Sequence, residues 1–138
     1  NTYGPYMMPD DGRVISNFIN QALNDRNLTI YGDGTQTRSF CYIDDLIEGL
    51  IKTMENGNLG PYNIGNPEEF TLNDLIKILE NKFKRSLDIE YLELPQDDPI
   101  MRKPNIDKIK YELDWSPTIE LSKGLDSTIE YFTKIKQK

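Results

Sequence analysis

From Val14 to Leu23 the apolar residues Val14, Ile15, Phe18, Ile19, Ala22 and Leu23 recur at spacings of three and four, the period of a helix with one buried side. The pattern predicts a helix from Arg13 to near Asp25. Ile43, Leu46, Ile47, Leu50, Ile51 and Met54 repeat it, and Asn56-Gly57 marks its stop. Asp44 and Asp45 fall in the first turn of this second helix, where carboxylates suit the positive end of the helix dipole. A third helix follows Thr71, an N-cap with Asp74 three residues on, and carries Leu72, Leu75, Ile76, Leu79 and Phe83 along one face. Ile106, Ile109 and Leu113 mark a short helix, and Leu121, Leu125, Ile129 and Phe132 mark the last one. Each of these faces is expected to be buried.

Between the helices the apolar runs are short. Leu28–Tyr31, Arg38–Tyr42, Tyr62–Ile64 and Ile89–Leu94 read as strands or extended segments. Gly32-Asp33-Gly34 is a tight turn, because its two glycines open backbone angles closed to other residues. Gly65-Asn66-Pro67 is another turn, and Pro95 to Pro104 is a polar loop. Residues 1–12 hold too many turn formers for regular structure. There is no internal repeat and no βαβ unit with a glycine-rich phosphate loop. The order predicts a helix-rich α/β fold with short, separated strands, in one domain spanning residues 1–138.

Composition narrows the chemistry. At 138 residues, 37% hydrophobic and 28% charged, the chain reads as a globular protein of one modest core. A net charge of -7 argues against nonspecific nucleic-acid binding, which depends on clustered cations. No apolar run approaches the roughly 20 residues that span a bilayer. Cys41 is the only cysteine and histidine is absent. An internal disulfide and Ser-His or Cys-His catalysis are therefore ruled out, no metal site is expected, and a reducing compartment is the default. Cys41 itself reads as core filler. The chain opens at Asn1 and is read as a piece of a longer polypeptide.

Chemistry is left to Arg, Asp, Tyr and backbone groups. Arg38, placed after the glycine turn, could present a bidentate fork to a diphosphate or a carboxylate, or could make a surface ion pair. Arg102 and Lys103 could balance Asp97 and Asp98 locally. Arg13 opens a helix, a poor electrostatic place for a cation, which points to another job. Tyr31, Tyr42 and Tyr62 can pack or offer ring faces to a base. Asp44-Asp45 reads as helix capping before acid/base catalysis, and Trp115 as an anchor between two helices.

In order along the chain, NTYGP, DGRVISNFINQAL, TIYGDGTQTRSFCYIDDLIEGL, YNIGNPEEFTLNDL, PQDDPIMRKPNI and LDWSPTIELSKGL resemble the C-terminal part of the UDP-glucuronate decarboxylases (UDP-xylose synthases). That family lies within the extended short-chain dehydrogenases/reductases. YGDG-x-Q-x-R and W-x-P are shared with dTDP-glucose dehydratases and UDP-glucose epimerases, whereas DGRV and QDDP point to the decarboxylases. The match departs at Tyr6, Met8 and Asn105.

The resemblance implies a nucleotide-sugar-binding half of an NAD-dependent carboxy-lyase. The Rossmann half, with its glycine-rich turn and Tyr-x-x-x-Lys pair, is missing here. It implies Thr2 and Arg13 beside NAD, with Arg13 a possible auxiliary in catalysis and residues 1–12 forming the cofactor-proximal loop. It implies Arg38 and Arg102 on the substrate diphosphate, with Tyr31 and Gln36 bordering the uridine. A UDP-sugar ligand, a homodimeric parent and a cytoplasmic or Golgi location follow in the same way, and the chain alone is expected to be inactive.

Overall fold

The computed structural model describes residues 1–96 and 101–137. In chain order these form β1 (Thr2–Tyr3), α1 (Val14–Leu23), β2 (Leu28–Tyr31), β3 (Thr37–Ser39), β4 (Cys41–Tyr42) and α2 (Ile43–Asn56). Then come β5 (Glu69–Thr71), α3 (Leu72–Phe83), β6 (Ile89–Leu92), α4 (Asp107–Leu113) and α5 (Leu121–Lys136). The strands pair two by two. β1 runs parallel to β4 with Thr2 opposite Cys41, β2 runs parallel to β6 with Leu28 opposite Ile89, and β3 runs antiparallel to β5 with Arg38 opposite Phe70.

α1, α3 and α5 bury the faces that their periodicity predicts. Ile15, Phe18, Ile19, Leu75, Leu79, Leu125 and Phe132 meet Tyr3, Leu28, Ile30 and Phe40 in the main core. α3 starts at a complete capping box: Thr71 Oγ1 accepts from Asp74 N at 3.0 Å, and Thr71 N donates to Asp74 Oδ2 at 3.2 Å, an arrangement worth about 1 kcal/mol. α5 crosses β1 so closely that a Cβ on Gly124 would collide with Tyr3 Oη and Tyr42 Cδ2. Tyr3 Oη donates to the Leu121 carbonyl at 3.3 Å and seals that crossing.

Four expectations are corrected. Thr2–Tyr3 forms a strand inside the turn-rich first segment, because β4 supplies its partner. Arg38–Tyr42 divides between β3 and β4, which face different partners, and the strand after Asp88 stops at Leu92. Tyr62–Ile64 joins no ladder and is held by side chains. Tyr62 Oη donates to Glu112 Oε2 at 2.5 Å, Lys108 Nζ lies 4.3 Å from the Tyr62 ring, and Asn63 Nδ2 donates to the Asn105 carbonyl.

The largest correction concerns α2. Its apolar stripe is open, with Ile47 46% and Met54 85% exposed and Leu50 and Ile51 also on the surface. The buried side carries Asp45 and Gly49 instead. A Cβ at Gly49 would run into Ile64 and Trp115, so the glycine lets the helix sit directly on the small second cluster of Ile106, Ile109 and Trp115. Trp115 does anchor helices, between α2 and α4. Asp45 faces inward, where its carboxylate accepts from Thr118 N at 3.1 Å, Thr118 Oγ1 at 3.1 Å and Ile119 N at 3.0 Å. The helix-capping reading of Asp45 gives way to a clamp on the segment before α5.

Cys41 is buried as core filler, and burial pushes its thiol up to about 11. The unfolded thiol titrates near about 8.5, so stability that depends on the neutral group is complete below that pH and is lost as pH climbs toward the folded value. Iodoacetamide at pH 8 is expected to spare Cys41 in the folded chain and to modify it in urea. Fast labelling without urea would contradict its burial.

Candidate functional site

β2 alternates sides, as a strand must: Leu28 and Ile30 enter the core while Thr29 and Tyr31 point into a cleft of about 580 Å³. Thr2 comes to this cleft from β1, Arg13 from the start of α1, Gln36 and Arg38 from the far side of the glycine turn, and Arg102 from the late loop. All six residues singled out from the sequence thus line one cavity. Asn1, Asn17 and Thr29 also line it and were missed. Their signals were local: Asn17 stands one helical turn beyond Arg13, and Thr29 shares the Tyr31 face.

The turn is rigid for identifiable reasons. Gly32 and Gly34 have φ of 78° and 79°, open to glycine at little cost. A side chain at Gly34 would strike Asn73, which donates from N to the Gly34 carbonyl and from Nδ2 to the Asp33 carbonyl, each at 3.2 Å. Asp33 Oδ1 accepts from Thr35 N at 3.0 Å and Thr35 Oγ1 at 2.6 Å, and the Thr35 hydroxyl and amide hold its carboxyl below the usual range. Gln36 is buried and donates from Nε2 to the Tyr31 carbonyl at 2.6 Å, so it braces the turn from within. This bracing fixes the register of β3 and thereby the place of Arg38, whose Nη1 donates to the Thr37 carbonyl at 2.8 Å.

Arg13, Arg38 and Arg102 line the cleft, and no acidic residue does so among the described residues. Asp97 and Asp98, the local counter-charges considered for Arg102, lie outside the described residues. Lys103 Nζ lies 3.3 Å from Glu69 Oε2. A side chamber of about 270 Å³ opens off the Asn1–Thr2 and Arg102 edge and is lined by Ser39, whose buried Oγ has no hydrogen-bond partner among the described residues. A larger hollow of about 770 Å³ beside α4 carries Lys103 and Lys110 against Glu68 and Asp107. Its charges offset one another, so the arginine cleft is the better anion site.

Residues 1–65 match the NAD dependent epimerase/dehydratase family. That match covers just under half of the chain, and the helix-rich α/β architecture corresponds to the C-terminal portion of the extended short-chain dehydrogenase/reductase fold. Among particular proteins, the chain is 48% identical over 132 residues to UDP-glucuronic acid decarboxylase 1 of Arabidopsis thaliana, an alignment covering 96% of this chain and 30% of that one. It also superposes on UDP-glucuronic acid 4-epimerase of Bacillus cereus, solved with UDP-glucuronic acid and NAD, at a TM-score of 0.91 and 36% identity, covering 98% of this chain and 43% of that one. The dTDP-glucose 4,6-dehydratase of Bacillus anthracis, solved with NAD, superposes at a TM-score of 0.89 and 28% identity, covering 99% and 43%. The chain therefore spans less than half the length of these relatives.

Proposed function

We propose that the chain is the nucleotide-sugar-binding part of an NAD-dependent UDP-glucuronate decarboxylase that makes UDP-xylose. The observation that carries this reading is the convergence of three arginines, with Tyr31 and Gln36, on one cleft in a chain whose net charge is -7. An anionic ligand is what such a cleft selects, and a diphosphate matches planar guanidinium forks. In this reading Arg38 and Arg102 hold the diphosphate, Tyr31 and the braced Gln36 border the uridine, and Arg13 and Thr2 lie at the sugar and cofactor end. A 4-epimerase or 4,6-dehydratase parent is the second reading, favoured by the structural likeness to both classes. The 48% identity to a decarboxylase ranks the first above it, and above a non-catalytic nucleotide-sugar-binding module.

Thr2 and Arg13 suit contact with one edge of NAD, while the sequence has neither a glycine-rich phosphate turn nor a Tyr-x-x-x-Lys pair to hold the dinucleotide and move a proton. When bound, NAD supplies the hydride exchange at C4 of the sugar. The oxidised sugar would be a β-keto acid able to lose carbon dioxide, the electron pair passing into its ketone, and protonation with return of the hydride would then give UDP-xylose. The residues of this chain bind and orient: fixed arginines keep the diphosphate in one place, so the sugar meets the reacting groups in one geometry.

The open stripe of α2 belongs to the same reading, because contiguous exposed apolar residues mark a contact surface. A Rossmann half packed on Ile47, Leu50, Ile51 and Met54 would cover it, in a parent that is a cytoplasmic or Golgi homodimer. Supplying the full-length polypeptide with UDP-glucuronate and NAD is expected to yield UDP-xylose and carbon dioxide, whereas the 138-residue chain should bind UDP without turnover. UDP-galacturonate as the product would establish the epimerase reading instead, and absence of UDP binding by either form would sink both.

A further inference from the structure

Arg13 stands where a cation is electrostatically disfavoured, at the positive end of α1, and its side chain is 58% exposed at the mouth of the cleft. A long exposed side chain in that place samples many rotamers unless something holds it. Asp11 does so. Its Oδ2 lies 3.6 Å from Arg13 Nε, while its Oδ1 accepts from Arg13 N at 3.1 Å and from the hydroxyl of Ser16. Ser16 is fully buried and also reaches the Arg13 carbonyl at 2.9 Å. Gly12, with φ of 76° and open space where a Cβ would stand, turns the chain so that the Asp11 carboxylate just before it folds over the helix start.

We propose that Asp11 is a positioning residue, which fixes the Arg13 guanidinium at the cleft mouth and offsets its charge against the helix end. The inference rests on the reading of Arg13 given above and extends it to a residue that does not itself line the cleft. An exposed ion pair of this length contributes little to stability. Its effect is on geometry, because one oxygen of the carboxylate is already pinned by a backbone amide and a buried hydroxyl, leaving the other to hold the arginine in one direction.

The test uses the full-length, NAD-loaded protein and reads turnover and KM for UDP-glucuronate together with Tm. Asp11→Asn keeps an oxygen for the backbone amide and Ser16 but removes the charge that holds Arg13. It is expected to lower kcat about tenfold with KM within about twofold, and to cause no further loss of kcat in an Arg13→Ala background. Ser16→Ala, which loosens the same carboxylate, should lower kcat in the same sense by less. Unchanged kcat in Asp11→Asn, a loss equally large without Arg13, or a fall in Tm alone would make Asp11 only a helix cap and overturn the proposal. If the unaltered protein bound UDP-glucuronate and turned it over normally, such a failure would belong to Asp11 alone. If the unaltered protein failed to bind UDP-glucuronate, both the proposal and the reading of the cleft would fall.

Discussion

Arg38→Ala in the full-length enzyme is expected to raise KM for UDP-glucuronate about 10- to 100-fold while leaving kcat within a few-fold. A charge-assisted hydrogen bond to a diphosphate contributes roughly 1.5–3 kcal/mol, and about 1.4 kcal/mol corresponds to one decade of affinity. The diphosphate lies away from the reacting C4, so the contact is made equally in the ground and transition states and its loss falls on binding. Arg38→Lys should recover little, because an ammonium cannot reproduce the planar fork. NAD affinity should be spared. Calorimetry with UDP isolates the effect from turnover. If Arg38→Ala bound UDP as tightly as the unaltered protein while Arg102→Ala abolished binding, the late loop would be the principal phosphate clamp and the ranking of the two arginines would reverse.

Asp45→Ala is expected to destabilise the chain by about 3 kcal/mol, since removing a buried carboxylate leaves two backbone amides and a hydroxyl without their acceptor. With a urea slope of about 1–3 kcal/mol per molar, the unfolding midpoint should fall by roughly 1–3 M. Thr118→Val removes only the hydroxyl contact and should cost about 1 kcal/mol. The large effect follows from where Asp45 sits. It is 2% exposed and joins α2 to the segment entering α5, so its loss unpins both elements. A midpoint unchanged within 0.3 M, taken as about 0.5 kcal/mol on the same slope, would show that the three bonds contribute no net stability.

Periodicity identified α1, α3 and α5 correctly because the partners of their apolar faces lie within the same chain. For α2 the pattern was as clear and the inference from it failed. A hydrophobic stripe says that a face needs cover, and nothing in the spacing of Ile47, Leu50, Ile51 and Met54 says where the cover comes from. Asp45, which read as a dipole partner, turned out to lie with Gly49 on the buried side because Trp115 and Thr118 approach from far along the chain. β1 was illegible for a related reason: two residues in a turn-rich segment become a strand only when Cys41 and Tyr42 arrive beside them.

The cleft was legible residue by residue through family resemblance, and its assembly in one place required the fold. Composition and spacing alone favoured a surface ion pair for Arg38 over a ligand contact. What neither the spacing nor the resemblance contained was the bracing: Gln36 against Tyr31, Asn73 against the glycine turn, and Asp11 against Arg13 all join groups whose pairing depends on backbone direction.

The register of β2 has a consequence for the order in which the protein can assemble during synthesis. Leu28 pairs with Ile89 and Tyr31 with Leu92, and among the described residues no hairpin offers β2 an earlier partner. At about 5–20 residues per second, a ribosome needs several seconds to deliver β6, during which Leu28 and Ile30 must stay covered by α1 or a chaperone. Arg102 arrives later still. The arginine-lined cavity therefore cannot close before the late loop emerges, and a nascent polypeptide stalled before β6 would carry Thr2, Arg13 and Arg38 without Arg102 opposite them.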